Sequence, residues 1–528
     1  MTVQINQERL KKYDVLIAGG MSQREAAKKL GIPRATLQDW LRARHTLTTK
    51  QPAPAIIRPI YRTKVTRYIV SAAQDNTPVH AQFLRNLETY AHGIDAREIL
   101  IAGFSYGKTS HALYEKTKLA PEAFDAPVRR YLTNRAFKLG DSLVFCGEQN
   151  TLPTAKMPLD GFETYTGEAW GIFPHAKLQM KAIATMREAP AKQLFTTGAV
   201  TQSNYIQRRS GILAHFHHEI AALVVEIDQD GHQWVRQLVA APDGTFQDLD
   251  NVVNEDGILL KGRGCVEALT YGDLHEDQID EDVYFSVFEK GGLADTLRPR
   301  FQFIHDAFDM KRRNHHSIDD PFFRIAQWGQ DAESVRGEIE SLGMRLEDMQ
   351  RSYASNVIVE SNHDLALKRW VRDADWAADP ANAKILQQLR LAAVTAAECG
   401  EYGTWSPLEY AVRDLLGFHL PSTQFLREDE QFSICAGTIE CGMHGHLGSG
   451  GARGSLRTFT RAGKRSNTAH AHSAAILEGA YRAGTMSRLD PAYLKGLSNW
   501  TQSHIVTLPN GKRQIVSHAA DRNRKWRA

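Results

Sequence analysis

The sequence predicts an α/β protein preceded by a small all-α module, and three observations carry that assignment. From about Thr66 onward, short apolar runs of strand length alternate with amphipathic helical stretches. Residues 1–48 instead show only helical periodicity. Five short blocks rich in His, Asp and Asn recur beyond expected strands in the second half. Composition is compatible with this. The chain has 528 residues, 42% hydrophobic and 24% charged, which excludes wholesale disorder, collagen and coiled coil. No apolar run approaches membrane-spanning length, and the start MTVQINQERLKKYD lacks the apolar core of a secretory signal. The five cysteines are scattered without a CxxC pair, so free thiols in a reducing cytoplasm are expected.

In the N-terminal module, Ser22 and Glu25 form a capping box that opens a helix by occupying its first free N–H groups. Ala26, Ala27 and Leu30 form its inward stripe, and Gly31 supplies a tight turn. Pro33 suits the first turn of a following helix with Leu37, Trp40 and Leu41 on its apolar face. A preceding helix over Gln7–Ala18 would contribute Leu10, Val15 and Leu16. This arrangement resembles a helix-turn-helix DNA-binding unit. The resemblance implies that Arg34, Thr36, Gln38, Arg42 and Arg44 face bases and phosphates. The Pro-rich string QPAPAIIRP marks 49–65 as a linker.

Residues 66–260 are expected to form an α/β domain, with strands at 67–73, 99–102 and 143–146, a helix at 81–92, and a late hairpin of 221–227 with 234–239. Gly103-Phe-Ser-Tyr-Gly107-Lys108-Thr109 looks like a phosphate-binding loop but has three residues between its glycines where wrapping a phosphate needs four. A plain strand-end loop is the expectation.

The chemistry is concentrated further on, where 12 of the 21 histidines lie between 275 and 528. The blocks are Gly272-Asp273-Leu274-His275, His305-Asp306-Ala307-Phe308-Asp309, Ser361-Asn362-His363-Asp364, Gly442-Met443-His444-Gly445-His446 and Ala469-His470-Ala471-His472. Alternate residues at a strand end point the same way, so D-x-H can chelate one metal, and a carboxylate can bridge to a second. Ligation by His, Asp and Asn without thiolate suits Mn²⁺, Fe²⁺ or Zn²⁺.

These blocks, in this order, resemble the calcineurin-like metallophosphoesterase superfamily over about residues 264–490. The resemblance implies a layered β-sandwich flanked by helices, a catalytic domain at 261–510, and two divalent ions. Mn²⁺ is the expected metal, with Mg²⁺, Fe²⁺ and Zn²⁺ as alternatives. It assigns Asp273, His275 and His472 to one ion, Asn362, His444 and His470 to the other, and Asp306 to both. His446 is the alternative to His444. His363 would orient the scissile phosphate and protonate the leaving oxygen, while Asp309 and Asp364 would hold the catalytic and ligating groups in place. The chain departs from the pattern at His305, Ser361 and Ala469, each standing where the family has glycine. His305 either crowds the site or adds a ligand.

The net charge of +3 divides into +10 over residues 1–67, −12 over 68–510 and +5 over 511–528, which reads as a basic tail after an acidic body. Lys311-Arg312-Arg313-Asn314-His315-His316 offers donors to a phosphodiester backbone, with Arg313, His315 and His316 the chosen contacts, and Trp526 is placed to stack on a base. The expected function is therefore a two-metal DNA nuclease near the SbcD-like or phage-encoded branch, working in a bacterial or phage-infected cytoplasm. Its expected partner is DNA and not a membrane; homo-oligomerisation and an ATPase partner stay open. A small-molecule phosphodiesterase or protein phosphatase, and a DNA-binding regulator on a silent scaffold, are the alternatives. Finally, DNTPVH, GEQN, PHAK and TTGAVT in the first half run in the order of DLH, SNHD, HAHS and RAGTMS in the second, so 66–260 is expected to be a degenerate copy of the catalytic fold.

Overall fold

The computed structural model describes residues 7–19, 21, 23–32, 65–106, 121–186, 189–428, 430–491, 494–519 and 524–528. The chain divides into two compact units, residues 1–57 and 58–528. In the first, helices Gln7–Ala18 and Gln23–Lys29 pack through Tyr13, Ala26, Ala27 and Ile32. Val15, expected inside, is 71% exposed; Tyr13, Leu16 and Ile17 supply the inward stripe at helical spacing instead. Gly31 has φ +61°, the left-handed conformation its turn requires. Ser22, the helix from Pro33 with Arg34, Thr36, Gln38, Arg42 and Arg44, and the string 51–59 lie outside the described residues.

The second unit is built from three large sheets. Residues 65–239 contribute β1 (Val65–Gln74), β2 (Glu98–Phe104), β3 (Leu132–Thr133), β4 (Ala136–Gly140), β5 (Leu143–Cys146), β6 (Trp170–Phe173), β7 (Gln179–Ile183), β8 (Lys192–Thr196), β9 (Ala221–Asp228) and β10 (Gln233–Val239). A small ribbon follows, β11 (Phe246–Asp248), β12 (Asn251–Val253) and β13 (Leu259–Leu260). The remainder contributes β14 (Ala268–Thr270), β15 (Phe301–His305), β16 (Ser355–Val359), β17 (Thr423–Leu426), β18 (Ser433–Ile434), β19 (Ile439–Glu440), β20 (Arg465–Thr468), β21 (Ala475–Leu477), β22 (Ala480–Arg482), β23 (Ser503–Thr507) and β24 (Arg513–Ser517). One sheet has the order β10-β9-β1-β2-β3 and another β17-β16-β15-β14-β23-β24. The third runs β18-β19-β20-β22-β21-β7-β8-β6-β5-β4 across both halves. The regions expected as separate domains, 66–260 and 261–510, thus share one ten-stranded sheet.

The layering follows from two-sided burial. β1, β2 and β9 read as near-continuous apolar runs because both faces are covered. Tyr68, Val70 and Leu223 face Phe145, Ile172 and Phe195 of the ten-stranded sheet, while Ile69, Ile101 and Val224 face Phe83, Leu87 and Tyr90 of helix Ala81–Gly93. In the second half, Phe303, Val357 and Leu426 pack against Ile434 and Ile439, and Leu269, Ile304 and Ile358 pack against a large helical layer including Val283, Leu342, Leu367 and Leu386. Each such fully buried side chain contributes about 1.5–3 kcal/mol.

A buried charge network ties β9, β10 and β11 together. Arg236 is bidentate on Asp248 (Nε–Oδ1 2.9 Å, Nη2–Oδ2 2.7 Å) and also donates to Glu226 at 2.7 Å. The Tyr90 hydroxyl donates to Asp248 at 2.6 Å. Removing the guanidinium leaves Asp248 buried without a counter-charge, while Glu226 keeps only Arg67, at 2.8 Å. Arg236→Met is therefore expected to cost about 3–5 kcal/mol in chemical denaturation. A loss below about 1 kcal/mol would contradict a buried, desolvated network.

The C-terminus differs from the expected free basic tail. Arg513–Ser517 is the edge strand β24, and Trp526 is 6% exposed within the helical-side core, so it is not available to stack on a base. Arg524 and Arg527 face Asp280 (3.2 Å) and Asp250 (3.5 Å), and the Lys525 carbonyl accepts the Trp234 indole N–H. Hydrophobic anchoring of the indole turns this terminus into a clasp.

Candidate metal centre

Because β14, β15 and β16 are parallel, their carboxyl ends open on one edge, and the loops beyond them meet. The Leu274 and His275 N–H groups donate to the His305 and Asp306 carbonyls at 2.9 and 2.8 Å, joining the first two blocks. Asp364 joins the second to the third: its oxygens accept the Phe308 N–H (2.9 Å) and the Ser361 N–H (3.0 Å), while its own N–H donates to the Ser361 hydroxyl. Both oxygens of Asp364 are thereby engaged by backbone, so it shapes the loops and does not offer itself to a substrate. Gly272 permits a close approach that no side chain would: a Cβ there would lie 2.6 Å from the Thr485 backbone.

The segments after β19 and β20 close the site from the ten-stranded sheet. His275, Asp306, His470 and His472 all have positive φ (+47°, +45°, +73° and +53°). Non-glycine residues held there carry strain that the surrounding structure must offset, and such residues concentrate at functional sites.

Asp273, His275, Asp306 and His472 each present a ligand atom within 4.8 Å of the others, as do Asp306, His444 and His470. Asp306 belongs to both groups. His275 Nε2 lies 2.9 Å from His472 Nε2 and 3.6 Å from Asp306 Oδ2; His472 Nε2 lies 3.2 Å from Asp273 Oδ2. His444 Nε2 is 3.3 Å from Asp306 Oδ2. His446 instead bonds Glu428 at 2.8 Å, which leaves His444 as the imidazole facing the carboxylates. Asp309 Oδ1 lies 2.6 Å from His275 Nδ1 and 3.0 Å from His363 Nδ1, so one carboxylate orients two imidazoles.

The donor set fits divalent cations. Both oxygens of Asp273 and of Asp306, both ring nitrogens of His444 and Oδ1 of Asn362 are buried without a hydrogen-bond partner. Buried acceptors of this kind are costly unless something coordinates them. The protonation pattern points the same way. Burial and the neighbouring Asp306 push Asp273 up to about 7. Burial opposes charge on His275, yet Asp309, Asp306 and Asp273 prevail and raise it to about 10. Burial likewise opposes ionisation of Asp306, but His444, His363 and His275 hold it well below the usual range. The raised values of His275 and Asp273 mean that protons compete with a cation for both groups.

An entering cation must displace those protons. Binding of a divalent cation at pH 7 is therefore expected to release at least one proton, and affinity is expected to rise with pH as proton competition falls, through about 7 for Asp273 and about 10 for His275. Calorimetry in two buffers of different ionisation enthalpy reads this directly; identical apparent enthalpies would contradict it.

His305, expected either to crowd the site or to add a ligand, is 0% exposed with neither nitrogen hydrogen-bonded, its ring 5.5 Å from that of His444. It belongs to none of the groups of described residues whose ligand atoms converge. Ser361 uses its hydroxyl on Asp364, a tie glycine could not make.

Arg313 is not a DNA contact. It is 7% exposed and bidentate on Asp379 at 2.7 Å through both nitrogens, with Glu333 at 3.4 Å. A desolvated Arg in a fork with Asp is held by that partner. His315 and His316 are exposed with rings 3.9 Å apart. Three residues were not legible as site residues. Arg369, exposed, donates to the Asn362 carbonyl at 3.3 Å; Arg482, part-buried, donates to the Ser473 carbonyl and hydroxyl; and Trp500 packs edge-to-face on His472 with centroids 4.2 Å apart. None carries a local motif. The phosphate-loop lookalike begins inside β2, and the Ser105 N–H donates to Asn150; Gly107, Lys108 and Thr109 lie outside the described residues.

Comparison with known proteins adds two findings. Residues 13–51 match the helix-turn-helix family. Over 463 residues the chain is 37% identical to Protein A1 of Escherichia phage T5, covering 85% of this chain and 81% of that protein. No solved structure matches. Among the described residues, no helix is long and apolar enough to cross a membrane.

Proposed function

The chain belongs to the family of Protein A1 of Escherichia phage T5, and from that starting point we propose that it is a metal-dependent DNA nuclease of metallophosphoesterase type. The observation that carries the reading is the double group of ligands sharing Asp306, with its ligand atoms buried and unpartnered. The helix-turn-helix supports a polynucleotide substrate over a small phosphodiester.

Asp273, His275, His472 and Asp306 would hold one ion, and Asp306, His444, His470 and Asn362 the other. A divalent pair, Mn²⁺ in this reading, supplies charge neutralisation for an in-line phosphoryl displacement. The protein's own contribution is arrangement. Asp309 takes the Nδ1 side of His363, which leaves Nε2 of this part-exposed ring as the nitrogen that would meet a leaving group. Burial disfavours charge on His363, but Asp306 and Asp309 outweigh it and raise its pKa, the direction a proton donor to a leaving alkoxide needs. The test is cleavage of linear and circular DNA, and of a chromogenic phosphodiester, with Mn²⁺, Mg²⁺ or EDTA. Metal-dependent DNA cleavage is expected. Turnover of the chromogenic diester alone would move the assignment to a small-molecule phosphodiesterase, and DNA binding without hydrolysis would make the chain a regulator.

A further inference from the structure

The two halves of the large unit share strand order and strand sense. β10-β9-β1-β2-β3 pair antiparallel, antiparallel, parallel and parallel, as do β24-β23-β14-β15-β16. β4-β5-β6-β8-β7 pair antiparallel, parallel, parallel and antiparallel, as do β18-β19-β20-β22-β21. Apart from β17, an added edge strand beside β16, chain order is the same too, including the exchange that sets β8 beside β6 and β22 beside β20. Unrelated sandwiches have no reason to repeat a crossover.

Register makes the match specific. With TTGAVT set over RAGTMS, Gly198 overlies Gly484. Thr196 then pairs Phe173 as Arg482 pairs Thr468, and Phe195 pairs Met180 as Tyr481 pairs Ile476. Met180 and Ile476, matched in this way, pair with each other across β7 and β21. In the other layer, Ala199 donates to Glu219 as Thr485 donates to Thr501, which sets Leu223 over Ile505. Leu223 pairs Gln237 as Ile505 pairs Ile515, and these counterparts also touch: the Ile515 N–H donates to Gln237 Oε1 at 2.9 Å. A residue that contacts its own counterpart marks a twofold axis, the geometry of an isologous dimer.

The same registers locate the first half's version of the metal centre. Val144 pairs Gly171 as Glu440 pairs Ser466, so Glu148 stands at the place of His444. His175 follows Phe173 at the spacing of His470 from Thr468, and Lys177 at that of His472. Tyr68 pairs Glu98 as Ala268 pairs Phe301, which puts Gly103 in the position of Asp306. A Cβ on Gly103 would lie 2.4 Å from the Phe124 ring, so the bridging carboxylate has no room. The nitrogens of His175 are engaged with the Leu152 carbonyl (3.2 Å) and the Lys177 N–H (2.9 Å). The Lys177 ammonium, a donor only, bonds Glu478 across the lobe boundary at 2.8 Å.

We infer that residues 65–239 are an internal copy of the metal-binding lobe with its ion site erased, making the chain a fused pseudo-dimer with one working centre. The face through which a single lobe would dimerise is consumed inside the chain. The ion count rests on the dimetal reading; the duplication does not. Mn²⁺ content of the full-length protein, by mass spectrometry after gel filtration, should be two per chain. It should stay at two in Glu148→Gln and in Lys177→Met, and fall in Asp306→Asn. Additional bound ions that disappear in either first-lobe variant would overturn the erased site. No bound ion in the wild type would overturn the dimetal reading and the count with it. A crystal structure in which β1–β10 fail to superpose on β14–β16 and β18–β24 would overturn the duplication.

Discussion

Asp306→Asn is expected to lower DNA cleavage by at least about 10³-fold, because the several kcal/mol of charge stabilisation attributed to a metal pair depends on the one residue common to both ligand groups. The substitution is nearly isosteric. Asp306 lies 3.3 Å from His444 and 3.6 Å from His275, so two imidazoles lose an anionic neighbour. The diagnostic readout is thermal stability with and without Mn²⁺. The wild type should gain melting temperature on adding the ion, by mass action on the folded state, and the variant should not. Undiminished cleavage, or an unchanged ion-induced shift, would remove Asp306 from its bridging place.

His363→Ala should retain the ions and still lose about 10²- to 10⁴-fold in kcat, the usual span of general acid–base catalysis. Its ring meets Asp309 at 3.0 Å but belongs to neither ligand group around Asp306. The pH profile separates a proton donor from a structural role. A donor must be protonated, so the rate should fall as pH rises through its pKa. That alkaline limb should vanish in the variant. Asp309→Asn should move the limb to lower pH, since it removes a carboxylate that raises the His363 pKa. A variant retaining both full rate and limb would assign the proton to another group.

Much of the fold was legible where burial is two-sided. The strand expected at 143–146 is found as Leu143–Cys146, the helix at 81–92 as Ala81–Gly93, and the hairpin as Ala221–Asp228 with Gln233–Val239. Ser433–Ile434 and Ile439–Glu440 are two short strands, because Cys435 and Ala436 between them take positive φ in a turn that an apolar sequence does not announce. Arg313 and Trp526 mislead for a related reason. A charge run and an aromatic tail look solvent-facing until Asp379, 66 positions away, and the helical-side core claim them.

By itself, the sequence determined which residues with ligand chemistry end the strands and in what order. Both are local properties, set by apolar runs and the alternation of a pleated backbone. It also carried the paired strings TTGAVT and RAGTMS. Only the tertiary structure decided which imidazole faces a carboxylate and which is taken by Glu428, that Asp309 holds two rings at once, and that Met180 meets Ile476. These are contacts between segments up to 296 positions apart, made by parallel strand ends, left-handed backbone and a pseudo-twofold that periodicity along one strand cannot encode.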